Sequence, residues 1–308
     1  MIQIYSNSLG KKELKAIKKI FKSKWLGKGN KTDEFINDFS SKLTSSIFDG
    51  MASSKPSPYN LLSVNSCTEG IFQIMDLLDI KEGDEVILPS ISFVGVANAI
   101  VNKNAKPVFC DVDPHTLNSN VEHIESKITS KTKAVITLHY AGVPCDINNI
   151  SELCKKHNIL FCIDEVQSGF YRMGTLYGYM TYGNYKPDII CLGKGLTSSL
   201  PLSAVLSTSK IIDLDPSANL SSTHAGNALC CAAGLANLEF LSDLEFQKKL
   251  KNKIKIFEER SNTLLKYKCV TNVNVKGMVS GIIIDNTPRT NKIVEYCILN
   301  GVLPVWTK

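Results

Sequence analysis

Two stretches decide how this chain is read: ILFCIDEVQSGF (159–170) and PDIICLGKGLTSSLPLSAV (187–205). Each carries an apolar run as long as one buried strand and delivers a charged group at its end, Asp164 (followed by Glu165) in the first and Lys194, flanked by glycines, in the second. A charge at the mouth of a buried strand is costly unless it is paired, neutralised or used. A lone lysine there could bury its methylenes and reach solvent. Paired with a carboxylate at a second strand end, it matches what pyridoxal phosphate chemistry needs. The amine condenses with the cofactor's aldehyde, and the carboxylate keeps the pyridine nitrogen protonated so that the ring withdraws electrons.

Outward from these two stretches the chain alternates short apolar strands with amphipathic helices. Strands are expected at LLSV, EVILP, KPVFCDV, AVITLHY, ILFCID, DIICLG and LSAVLS, and helices over 68–79, 93–102, 121–127 and 147–157. This rhythm predicts an α/β fold, a mainly parallel seven-stranded sheet sandwiched by helices. Ligands in such sheets gather at the carboxyl ends of the strands. Ahead of it, LGKKELKAIKKIFKSKW places Leu9, Leu14, Ile17, Ile20, Phe21 and Trp25 on one helical face opposite lysines, and a second helix is expected over 33–47. Beyond Ala225 one long helical region is expected to about Tyr267, then strands VTNVNV and SGIIID and a helix over 291–300. The expected division is a helical segment 1–50, a large cofactor-binding domain 51–240, and a smaller α+β domain 241–308.

Further candidates lie just past strand ends. In NSCTEGIFQIMDLL (65–78), Cys67 and Thr68 open a helix whose unpaired N–H groups suit a phosphate, although Ser66 or Thr68 could simply be its cap. Phe93, beyond EVILP, could lie flat on a heterocycle or belong to the core. Val166 shares the Asp164 face of the extended chain and could press on a ring, while Gln167 is a neutral donor for a phenolic oxygen; the competing reading of this segment is a turn with a solvated Asp–Glu pair. Thr223, before an alanine-rich helix, is a candidate phosphate contact or a helix cap.

Composition narrows the class. The 308 residues are 44% apolar and 21% charged, with a net charge of +6 and no dense basic block interleaved with aromatics, so nucleic acid is not the expected partner. Ten cysteines include no CxxC pair, and Cys110, Cys162 and Cys191 fall inside apolar runs where a thiol packs as a small hydrophobe. With five scattered histidines, no metal is expected; with no leader and no spanning segment, the expected home is the cytoplasm, away from membranes.

Taken together the segments resemble pyridoxal-phosphate aminotransferases of the aspartate-aminotransferase fold. MIQIYSNSLGKKELKAI, KSKWLGKGNKTDEF, SVNSCTEG, IKEGDEVILPSISFVGVANAI, AKPVFCDVDPHTLN and ITSKTKAVITLHYAGVPCDI look like the DegT/DnrJ/EryC1/StrS sugar aminotransferases. IDEVQSGFYRMGTLYGY, KPDIICLGKGLTSSLPLSAV and SSTHAGNALCCAAGLANLEFL look like class III aminotransferases. The resemblance implies Lys194 as the Schiff-base lysine, Asp164 on the ring nitrogen, Val166 and Gln167 on the ring and its oxygen, and Phe93 stacked on it. It also implies Cys67 and Thr68 at the phosphate, and Thr223 reaching the neighbouring subunit's phosphate in a homodimer. The chain stops at VWTK, before the several tens of residues with which class III relatives continue, so the small domain is expected to be shortened. The expected reaction moves an amino group, from glutamate by preference, to a keto-sugar, nucleotide-linked or free, for surface glycan synthesis. An ω-amine or semialdehyde substrate, an aminomutase or racemase, and a non-catalytic regulatory relative stay open.

Overall fold

The computed structural model describes residues 10–39, 59–182, 187–197, 200–212 and 225–305. Helices α1 (Lys11–Ser23) and α2 (Asn30–Phe39) come first. The alternating region follows as β1 (Tyr59–Val64), α3 (Cys67–Leu77), β2 (Glu85–Pro89), α4 (Val94–Val101), β3 (Lys106–Cys110), α5 (Val121–Glu125), β4 (Thr132–Leu138), α6 (Ile147–Lys156) and β5 (Leu160–Asp164). Then come β6 (Ile189–Leu192), β7 (Ser203–Thr208), the short α7 (Ser209–Ile212), α8 (Ala228–Leu241), α9 (Leu244–Asn262), β8 (Val270–Lys276), β9 (Val279–Ile284) and α10 (Thr287–Leu299).

Seven strands form one sheet in the order β1-β7-β6-β5-β4-β2-β3. All run parallel except β7, which is antiparallel to both its neighbours, β1 and β6. The sheet is a seven-stranded, mainly parallel one, as the alternating pattern requires. Its central strands are apolar on both faces because helices cover both. Ile87, Val135, Phe161, Ile163, Ile190 and Leu192 point into one buried cluster, and their neighbours Val86, Leu88, Ala134, Ile136, Cys162 and Cys191 into the other. Each fully buried Ile or Leu contributes roughly 1.5–3 kcal/mol. All ten cysteines are free thiols, and Cys110, Cys162 and Cys191 are buried among the aliphatics.

Two expectations change. The helix α1 does not lie on its Leu14–Phe21–Trp25 face, which is 60–67% exposed. It turns Ala16 and Ile20 inward instead, where Ala228 and Ala232 of α8 are small enough for close approach. The long helix after Ala225 is two: Asp243 accepts from Phe246 N at 2.8 Å and starts α9 afresh. The second helix is described only to Phe39, and Leu9 lies outside the described residues. Strands β8 and β9 pair antiparallel as a separate two-stranded sheet. No helix among the described residues is long and apolar enough to cross a membrane.

Candidate active site

The parallel strands β1, β2, β4, β5 and β6 end along one edge of the sheet. Register places Leu138 beside Asp164 and Asp164 beside Cys191, so the residues following β4, β5 and β6 emerge side by side. Lys194 follows β6 after Gly193, at the start of a 3₁₀ turn, Lys194–Leu196. Its backbone is left-handed (φ +39°), a conformation that side-chain-bearing residues rarely hold without support. The ammonium is exposed and donates to Gln167 Oε1. A Cβ at Gly193 would lie 2.8 Å from Ser203 Oγ, 3.5 Å from Cys67 Cβ and 3.6 Å from Val166 Cγ2. The backbone at 193 is thus closely lined by Cys67, Val166 and Ser203, and Lys194 rises immediately beyond them.

Asp164 sits at the foot of this arrangement. Its Oδ1 accepts from Val166 N at 3.0 Å, and Oδ2 takes no hydrogen bond from the described residues. Burial pushes its carboxyl up, the Val166 N–H pulls it back, neighbouring Glu165 raises it and the Lys194 ammonium lowers it. Asp164 therefore lies within electrostatic reach of the Lys194 ammonium. A carboxylate oxygen with no donor among the described residues, on a half-buried side chain, suits a ring N–H.

The turn after β1 divides its labour. Ser66 is the cap, its Oγ accepting from Glu69 N at 3.1 Å while Glu69 Oε2 accepts from Asn65 N at 3.1 Å. The N–H groups of Cys67 and Thr68 then have no acceptor among the described residues, at the positive end of an eleven-residue helix. The Cys67 thiol is pushed far up by its hydrogen bond with Cys191 and by burial. Phe93 is 57% exposed; a Cβ at Gly95 would fall 2.5 Å from its ring and 3.2 Å from the Thr68 methyl, which puts the ring beside the turn after β1. Cys67, Thr68, Phe93, Asp164, Val166, Gln167 and Lys194 thus stand along one edge, and the residues fit pyridoxal phosphate: two free N–H groups for an anion, a carboxylate oxygen without a donor, and an amine. Thr223 lies outside the described residues.

Two residues of the site were not singled out by sequence. Glu165 is fully buried rather than solvated, accepting from Ser168 Oγ, from Gly178 N at 2.9 Å and from Tyr179 N at 2.7 Å, with His139 Nε2 at 3.5 Å. Burial opposes its charge, but His139 and these donors hold the carboxyl below its ordinary range. Arg172 lines, with Lys194, Gln167, Val166 and Tyr140, a cleft of about 1240 Å³ whose far wall is β9 and α10. Among the described residues Lys194 and Arg172 are the only charged groups lining it, and the Arg172 guanidinium has no carboxylate partner there. An isolated cation in a glycine-flanked turn, GFYRMG, was the available signal.

Comparison with known proteins agrees with this geometry. The family model of the DegT/DnrJ/EryC1/StrS aminotransferases matches residues 7–174, and that of class-III aminotransferases matches residues 141–306. The chain is 40% identical over 164 residues to dTDP-4-dehydro-2,3,6-trideoxy-D-glucose 4-aminotransferase of Saccharopolyspora spinosa, an alignment covering 53% of this chain and 40% of that protein. It is 32% identical over 163 residues to the spore coat polysaccharide biosynthesis protein SpsC of Bacillus subtilis, covering 53% and 38%. The chain thus spans less than half the length of these curated relatives. The aminotransferase TlmJ from Streptoalloteichus hindustanus superposes with a TM-score of 0.75 at 27% identity, covering 100% of this chain and 85% of that one.

Proposed function

Because the chain belongs to the DegT/DnrJ/EryC1/StrS aminotransferase family over its first half and to the class-III aminotransferases over its second, both pyridoxal-phosphate dependent, we propose that it is a transaminase acting at Lys194. The observation that carries this is the convergence of a cleft-facing amine at 194 with an undonated carboxylate oxygen at 164. Pyridoxal phosphate, when bound, supplies an aldehyde and an electron-withdrawing ring. Cys67 and Thr68 would hold its phosphate by backbone N–H groups, Asp164 Oδ2 would accept the ring N–H, and Val166 and Phe93 would bear on the ring. Gln167 keeps its amide hydrogens for the ring oxygen while its carbonyl steadies the Lys194 ammonium. Lys194 Nζ is the base for the proton on the substrate's α-carbon. Arg172 is suited to the carboxylate of an amino donor such as glutamate.

A keto-sugar, in particular a nucleotide-linked one for surface glycan, is the preferred acceptor. It is supported by the sugar aminotransferase and the spore coat polysaccharide protein among the relatives. One observation favours the ω-amine or semialdehyde reading instead: the far cleft wall is largely aliphatic, with Ile282, Ile284, Ile293, Leu303 and Val305, and offers few partners for sugar hydroxyls. The deciding experiment adds pyridoxal phosphate to wild type and Lys194→Ala and follows the visible absorption as glutamate and then each acceptor class is supplied. Wild type should bind colour that glutamate bleaches and one acceptor class restores, and Lys194→Ala should show no cycle. A wild-type protein that stays colourless ends the proposal.

A further inference from the structure

We propose that Asn237 of α8 is the positioning residue of the Lys194 turn, clamping it through the two carbonyls that follow the lysine. The inference rests on the reading of Lys194 as the cofactor-bearing amine. Asn237 Nδ2 donates to Gly195 O at 2.8 Å and to Leu196 O at 2.9 Å, so both hydrogens of one amide are spent on consecutive peptide units. Its surroundings on α8 are apolar: Ala233, Gly234, Ala236, Leu238 and Leu241 are all buried. An amide at that depth is costly unless paired, and a leucine of similar size would cover the same space without that requirement. The pairing it finds lies forty-one and forty-two residues away in sequence, directly behind the catalytic lysine.

The turn needs such a clamp. Lys194 holds φ +39°, and left-handed backbone at a non-glycine persists only where its surroundings over-determine it. From one side Gly193 is hemmed by Ser203, Cys67 and Val166, and its carbonyl takes Leu196 N at 3.1 Å. Phe170 closes on Gly195 so tightly that a Cβ there would lie 2.9 Å from it. Asn237 supplies the hold from beneath. Without its donors the peptide planes at 195 and 196 turn to seek other partners, Lys194 relaxes toward right-handed backbone, and its ammonium leaves Gln167. Asn237 contacts neither substrate nor cofactor; it acts only through the lysine's backbone.

The test compares wild type, Asn237→Leu and Leu238→Ala, each loaded with pyridoxal phosphate. Borohydride adds hydride across the carbon–nitrogen double bond joining Lys194 to the cofactor, and peptide mass mapping gives the rate at which adduct appears at 194. A pH titration of the visible absorption supplies a second readout. Asn237→Leu should slow adduct formation about tenfold or more or move the titration midpoint by about one pH unit. Leu238→Ala, which removes apolar volume from the same helix, should lower the melting temperature and leave both readouts where wild type has them. Wild-type behaviour in Asn237→Leu, or an equal shift in Leu238→Ala, overturns the inference. Should the leucine variant not fold, Asn237→Ser keeps one donor and should show a partial slowing, with an unslowed rate overturning the clamp. Absence of any adduct at Lys194 in wild type overturns the functional reading, and this inference with it.

Discussion

Asp164 shows how one residue balances opposed pressures. Burial and Glu165 raise its carboxyl while the Val166 N–H and Lys194 lower it, and the net direction in the cofactor-free chain is upward. A carboxyl whose folded pKa exceeds its unfolded value contributes stability below the unfolded value and loses it as pH rises through the folded one. Ionised Asp164 therefore weakens the cofactor-free fold at neutral pH. Asp164→Asn should melt roughly 2–4 °C higher than wild type at neutral pH, with the gap closing at pH ~4, while its affinity for pyridoxal phosphate falls. Calorimetry across pH checks this, and a gap that does not close at low pH contradicts it. Lys194 and Asp164 stood out in sequence because a charge that closes an apolar run must be paired, neutralised or used. Glu165 was not, since its donors at Gly178 and Tyr179 lie thirteen and fourteen residues downstream and only the folded turn brings them back.

At the scale of elements, the β8–β9 hairpin is pinned to the turn that carries Arg172. Met278 N donates to Arg172 O at 2.7 Å, and Gly277 (φ +62°) passes so close that a Cβ would lie 2.4 Å from that same oxygen. Gly277→Ala should cost about 2 kcal/mol or more, from left-handed strain and overpacking together, seen as a lower urea midpoint; an unchanged midpoint would show that the hairpin is loosely held. The strands of the large sheet were legible to within one or two residues at most ends, because an unbroken apolar run such as Val86–Ile87–Leu88 belongs to a strand buried on both faces. Helix α1 was legible as a helix and misplaced in orientation. Periodicity says which side chains share a stripe, while the inward stripe was chosen by the small alanines of α8. The break at Asp243 was equally local, an N-cap set inside an otherwise helix-forming run.

For the molecule as a whole, large apolar side chains remain in water: Leu14, Phe21 and Trp25 by α1, and Phe93, Val94 and Val101 along α4. Large apolar side chains left in water suit an association surface, and we infer that the homodimer implied by the family resemblance covers some of them. Sedimentation equilibrium should give twice the 33.9 kDa chain mass, and a monomer at micromolar concentration would remove the dimer from the proposal. Strand order and pairing direction came from tertiary structure: nothing local says that β7 enters between β1 and β6 against their direction. The sequence by itself determined the alternating architecture, the two charged strand ends and the capped turn that opens α3, because each is written in neighbours a few residues apart. Only the folded chain decided that Glu165 is buried, that Arg172 faces the same cleft as Lys194, and that Asn237 reaches the lysine's turn. Those are contacts between segments distant in sequence, chosen by which surfaces fill each other's space and satisfy each other's buried polar groups.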